Sequence, residues 1–230
     1  MKAKTSRAPL SRERVLVAAV ALADAEGVPA LTMRRLAADL GVEAMSLYYH
    51  LPGKESLLDG LVEQVLGEIA ATVSRLDSSD KDWRTQLRQR FLAAREVMLR
   101  HPWAPGLIGT RSAVPPDVYT YYEGILATLI ESGFSYRVAH RALHAFGSLP
   151  LGFAQEVFSP TSAGGSLETE TGEAEIAEMA DHLPHLAAMV TAETHDLADP
   201  TLGWCDSQTE FEFTLDLLLD GLERLRGLHH

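Results

Sequence analysis

Leu31-Thr-Met-Arg-Arg-Leu-Ala-Ala-Asp-Leu-Gly-Val-Glu-Ala-Met-Ser-Leu-Tyr-Tyr-His50 reads as two short helices joined by a tight turn. Thr32 is a capping residue, Leu36, Ala37 and Leu40 recur on one helical face, and Gly41 offers the positive φ at which a helix can stop and turn. The next helix begins near Glu43 and reaches about His50. Ala37 is small where the helices approach, and Leu36, Leu40, Val42 and Leu47 close a small core between them, as a steep crossing through a short turn requires. The opposite face then carries Ala44, Met45, Ser46, Tyr48 and Tyr49, small residues for close approach and hydroxyls for phosphates or base edges. An ordinary helical hairpin, with Tyr48 and Tyr49 as core aromatics, is the competing reading.

Upstream, Ser11 caps a helix whose apolar face is Val15, Ala18, Ala19 and Leu22, with Leu10 and Val15 as a staple and Gly27 as the stop. Downstream, Pro52-Gly53 breaks the chain before a long helix carrying Leu58, Leu61, Val62, Val65 and Ile69 on one face. That helix opens at Gly53-Lys54, so free backbone N–H groups and a lysine can meet one phosphate together. Past a polar break at 77–80, helices are expected over 83–100, 117–132 and 137–158, followed by a Gly/Ser/Thr-rich loop at 159–171 and a helical stretch at 173–194 divided by Pro184. The last helix is marked by Phe211, Leu215, Leu218, Leu219, Leu222 and Leu225 at spacings of three and four. No alternating β-branched run and no internal repeat is visible. The fold class is all-α: residues 1–55 form a three-helix, helix-turn-helix head with a basic arm (Lys2, Lys4, Arg7), and 56–230 a helical domain joined to it by the long helix.

Composition bounds the function. The chain has 230 residues, 46% apolar and 23% charged, ample for a buried core. No apolar stretch is long enough to span a bilayer and none resembles a secretion signal, so a cytoplasmic protein without membrane partners is expected. Cys205 is the single cysteine and reads as packing in a reducing compartment. The net charge of −12 argues against nucleic acid until its distribution is considered. Residues 1–54 carry eight Lys/Arg against five Asp/Glu, whereas 55–230 carry twelve against twenty-seven, so a polyanion is attracted by one end only.

Leu31-Thr32-Met33-Arg34-Arg35-Leu36-Ala37, Leu40-Gly41-Val42, Leu47-Tyr48-Tyr49-His50 and Lys54-Glu55-Ser56-Leu57-Leu58 together resemble the tetracycline repressor family, most strongly over 11–62. The resemblance implies that Thr32 and Arg34 touch the DNA backbone, that Ala44, Met45 and Ser46 face bases, and that Tyr48, Tyr49, His50 and Lys54 grip phosphates. Glu43 departs from the family's small capping residue and would repel a close phosphate. Weaker similarity continues at Asp82-Trp83-Arg84, Gly109-Thr110-Arg111, Gly133-Phe134-Ser135, Leu151-Gly152 with Glu156, and Gly221-Leu222-Glu223. The positions of the two histidines by which tetracycline-binding members hold the drug and its metal are Leu107 and Ala70 here, so a tetracycline–magnesium ligand is not expected.

The resemblance further implies a ligand pocket among the later helices and a dimer closed by helices from each subunit. Candidate pocket residues are Phe91, Trp103, Thr110, Arg111, Tyr122, His144, Phe146 and Phe153, with a polar or anionic ligand group near Arg111. The dimer is expected to be closed by the helices over 137–158 and 211–225, with Phe211, Leu215, Leu218 and Leu222 on the latter as candidate interface residues. The expected partners are double-stranded operator DNA, a small-molecule effector and a second copy of the chain. No cofactor or resident metal is expected, although His140 with His144, and His182 with His185, have metal-compatible spacings and leave a metal-sensing regulator as an alternative. An enzyme is the remote third reading, since no P-loop, dinucleotide fingerprint, HExxH or elbow serine is present. His229-His230 are given no function.

Overall fold

The computed structural model describes residues 9–76, 82–111, 115–153, 181–185, 187–188 and 207–226. The basic arm, the break at 77–80, residues 154–158, the loop at 159–171, most of 173–194, Cys205 and His229-His230 lie outside the described residues. Every regular element among the described residues is helical, and no described helix is long and apolar enough to cross a membrane. By contacts the chain divides into two compact units, Met1–Pro150 and Leu151–Leu228.

In the first unit, α1 (Arg12–Glu26) starts at Ser11, whose hydroxyl accepts the Arg14 N–H at 3.2 Å, and stops at Gly27 with φ 79°. A short 3-10 turn, Val28–Ala30, precedes α2 (Met33–Leu40), which Thr32 caps by accepting the Arg35 N–H at 3.1 Å. Gly41 lies in the left-handed region (φ 64°, ψ 42°), which lets the Val42 N–H return to the Ala37 carbonyl at 3.0 Å and turns the chain into α3 (Ala44–His50). Then follow α4 (Lys54–Ser74), α5 (Trp83–Arg100), α6 (Ala104–Ile108), α7 (Pro116–Glu131) and α8 (Tyr136–Gly152). Asp82 caps α5 by accepting the Thr85 N–H at 2.9 Å, and these hydrogen bonds hold its carboxyl below the usual range.

Val15, Leu16, Leu31, Leu36, Leu47, Leu57 and Leu61 are fully buried in one cluster that joins α1–α3 to the start of α4. Each such side chain contributes roughly 1.5–3 kcal/mol relative to exposure, so the head is held mainly by this burial. A Cβ at Gly60 would run into the Leu16 side chain, so the α1–α4 crossing depends on that glycine. Further along, α4 packs on α5, α6 and α7, which makes it the common spine of the unit. The residue-55 boundary drawn from the sequence therefore falls at the first turn of this spine, inside one compact unit.

The 3-10 turn and α6 were not expected. Both carry a proline in the first turn, Pro29 and Pro105, where the missing N–H removes no helical hydrogen bond; in sequence such prolines read as breaks. In the second unit, α9 (Ser207–Arg226) buries Phe211, Leu215, Leu219 and Leu222, and the Phe153 ring meets Phe211 edge-on at 5.4 Å.

Candidate nucleic-acid interface

Only Leu47 of the seven residues of α3 is buried. Met45 is 77% and Tyr49 89% exposed, and Tyr48 and Ser46 are exposed beside them, with Ala44 half-buried. Two large apolar side chains held in water forgo roughly 1.5–3 kcal/mol of burial each, so the outward face of α3 is arranged to be covered by something else. The reading of Tyr48 and Tyr49 as core aromatics is thereby corrected: Leu47 alone fills the core side of the helix. Tyr49 rests edge-on against the half-buried His50 at 5.3 Å, which orients both rings.

Cations flank this face. Arg35 is engaged by Glu26 at 2.7 Å and Asp39 at 3.2 Å, and the hydrogen bond and charge of Asp39, helped by Glu26, raise its pKa further. Its neighbour Arg34 is exposed with no acidic partner among the described residues. Thr32 uses its oxygen as the α2 cap and keeps its O–H to donate outward. Lys54 is exposed at the first position of α4, where Gly53 is extended (φ 172°) and no side chain caps the helix. An exposed lysine at the first position of an uncapped helix start is a combination suited to receiving a phosphate. Glu43 is exposed and forms no cap bond, which leaves a carboxylate at the edge of the face.

The residues expected to line a ligand site are scattered in their roles. Phe91 and Phe146 are fully buried and stack on each other at 4.8 Å with rings 14° apart. Trp103 is half-buried and donates its indole N–H to Asp24 Oδ1 at 2.7 Å, tying the stretch before α6 to α1. Thr110 is exposed and donates to the Leu107 carbonyl at 2.7 Å. Arg111 is 16% exposed at its side chain and pairs with Glu55 at 2.9 Å and Asp59 at 3.2 Å on the first turns of α4, while its Nε is buried without a partner. Tyr122 is half-buried, and His144 is exposed, edge-on to His140 at 4.8 Å. His182 and His185 are exposed, and no group of three or more potential metal ligands gathers among the described residues. An open groove of about 810 Å³ between α1 and α4, lined by Val17, Val20, Val65, Glu68 and His101, includes none of the expected pocket residues.

Sequence reading missed His101. Its nearly buried ring follows α5, with Nδ1 2.8 Å from Asp24 on α1 and Nε2 3.0 Å from Glu68 on α4. Burial disfavours the imidazolium, but the hydrogen bonds and charges of Asp24 and Glu68 outweigh it and raise the pKa above 6.5. Glu68 loses some stability as an anion by burial, yet His101 and Arg100, the latter at 2.6 Å, hold its carboxyl below the usual value. Only the imidazolium donates from both nitrogens, so its charge ties the head to the spine. No local pattern could show this, because its partners lie 77 and 33 residues away.

A three-helix head that leaves all but Leu47 of its third helix out of the core, beside Arg34 and Lys54, defines a helix-turn-helix DNA-binding protein. Residues 15–61 match the family model described as bacterial regulatory proteins, tetR family, and residues 77–226 match that of the tetracyclin repressor-like C-terminal domain. The HTH-type transcriptional repressor DrrR1 of Streptomyces coeruleorubidus is 30% identical over 96% of this chain and 82% of that protein. An HTH-type transcriptional regulator of Saccharopolyspora erythraea is 36% identical over 54% of this chain, a match spanning 51% of that relative's own length. The structure of ActR from Streptomyces coelicolor in complex with actinorhodin superposes with a TM-score of 0.72 at 26% identity, covering 94% of this chain and 96% of that one. The chain belongs to the TetR family of bacterial transcriptional regulators.

Proposed function

We propose that this regulator is a cytoplasmic homodimeric repressor that binds a pseudo-palindromic operator through Thr32, Arg34, Ala44, Met45, Ser46, Tyr48, Tyr49, His50 and Lys54, and that a small, mainly apolar effector in the helices beyond residue 55 releases it. The observation that carries the reading is the outward face of α3, with Tyr49 and Met45 held in water beside Lys54 at an uncapped helix start. One head offers few contacts, and two heads related by a two-fold axis read two half-sites about one DNA turn apart. ActR, similar along almost the whole chain, is known in complex with a small molecule, and this supports an effector here.

The spine supplies the coupling. Arg111, next to α6, grips Glu55 and Asp59 within the first two turns that follow Lys54, and Trp103 and His101 hold Asp24 of α1. An effector that shifts α6 or α5 must move these groups and with them the head. Linkage requires that operator weaken the effector by the same factor by which the effector weakens operator, and each ~1.4 kcal/mol of preference is tenfold. The test is footprinting on a duplex selected from random sequence by the protein itself. A two-fold symmetric footprint, abolished by Tyr49→Ala combined with Lys54→Ala in protein that remains folded, is the expected result. Undiminished binding by that double variant at moderate salt would show that the DNA face has been misplaced.

A further inference from the structure

The side chains of α3 divide sharply between core and water. Leu47 is fully buried, and Ala44 and Leu51, three residues before it and four after, turn toward the same core of the head. These three mark the inner line of the helix. At about 100° per residue, Met45 and Tyr49 fall on the opposite line, one turn apart, and they are its most exposed large apolar side chains, at 77% and 89%. A recognition helix enters the major groove by its N-terminal turn. Met45 therefore stands at the crest of the turn that enters.

The chemistry of that turn narrows what it can read. In the major groove guanine offers two acceptors, adenine an acceptor and a donor, cytosine a donor, and thymine an acceptor and a methyl group. Purines are read by a fork, arginine on guanine, asparagine or glutamine on adenine. From Ala44 to His50, α3 carries no guanidinium and no carboxamide, and Glu43 just before it has acceptors only. The Ser46 hydroxyl is a single donor rather than a fork. Met45 brings a flexible apolar chain that ends in a polarizable thioether, and the thymine methyl is the one apolar group on the base edges of that groove. A methionine left in water by its own fold regains burial only against such a surface.

We infer that Met45 is the residue of α3 that sets sequence preference, and that it does so by packing on the C5-methyl group of a thymine in each half-site. The inference rests on the DNA-binding reading above and names the group that is read. Lys54, outside α3, would hold phosphate and is indifferent to that methyl.

The experiment uses the full-length protein and the duplex it selects from random sequence. Each thymine of a half-site is replaced in turn by deoxyuridine, which removes the methyl and leaves every hydrogen-bonding group in place. At one thymine the replacement is expected to weaken wild-type binding by about fourfold per half-site, the effect of one methyl no longer buried. Met45→Ala should bind the thymine and deoxyuridine duplexes within about twofold of each other, which assigns the methyl effect to this side chain and not to the DNA alone. Met45→Gln, of similar length but with a carboxamide fork, should lose the methyl effect and accept adenine at that position, and it decides alone if Met45→Ala fails to fold. Deoxyuridine tolerated at every position, half-sites selected without thymine, or a methyl effect undiminished in the variants overturns the inference and leaves the DNA-binding reading standing. If no duplex is selected at all, that reading falls and the inference falls with it.

Discussion

At the scale of residues, two charges have separable consequences. Lys54 stands in water at the start of α4 and touches no acid among the described residues, which suits the phosphate contact proposed for it. Lys54→Ala is expected to weaken binding to every DNA sequence alike and to reduce the slope of log affinity against log salt by about one, with melting unchanged; a change confined to particular bases would assign Lys54 to base reading instead. His101 behaves differently. Its folded pKa is raised above 6.5, so its contribution to stability is complete below that value and is lost as pH rises through the raised one. The wild type should therefore lose melting temperature as the pH rises above 6.5 more steeply than His101→Gln, whose amide has no charge to lose. Parallel melting curves for the two proteins across that range would mean that the ring is neutral and the tie uncharged.

The elements carry the next level of constraint. The head is anchored where α1 crosses α4, and Gly60 permits that crossing because Leu16 occupies the space of a side chain there. Gly60→Ala improves the helix propensity of α4 by up to about 1 kcal/mol and yet is expected to destabilise the protein by about 1–3 kcal/mol, since overpacking outweighs propensity at a buried contact. Denaturant unfolding measures the sign directly; a stabilised variant would mean that the helices part without penalty. The starts of α1 and α2 were legible in sequence, because Ser11 and Thr32 cap through bonds three residues long; Asp82 caps α5 the same way. The short α6 and the 3-10 turn were not, because proline signals a break and a first helical turn equally well.

For the whole molecule, the proposed homodimer requires a surface that can join two copies. The apolar stripe of α9 is broad enough to serve both the chain's own core and a partner, and burial separates the two uses. Phe211, Leu215 and Leu222, expected at the interface, are 0%, 0% and 7% exposed within a single chain, and Leu218 is half-buried. Phe213 and Leu217, at 60% and 55% exposed, are the side chains of this helix that the proposed dimer would cover. Phe213→Glu with Leu217→Glu should give folded monomers with much weakened operator affinity, whereas Leu222→Arg should unfold the protein, because it buries an unpaired charge. Sedimentation velocity distinguishes the outcomes, and a dimer unaffected by the glutamate pair would move the interface off this face of α9.

The amino-acid sequence by itself determined what depends on near neighbours: helices throughout, the turn at Gly41, the outward set on α3, and a positive head on a negative chain. These follow from caps, glycine and periodicity, whose partners lie within about one helical turn. The tertiary structure decided everything that depends on a distant partner. Whether an arginine is spent or free is one case: Arg111 meets acids 52 and 56 residues away, while Arg90 meets none among the described residues. Whether an aromatic lines a site or fills the core is another, since Phe91 and Phe146 become core only when α5 and α8 bring their rings together. Periodicity names the face of a helix that is apolar; only packing decides what covers it, because burial belongs to the surfaces of separate elements and not to any one of them.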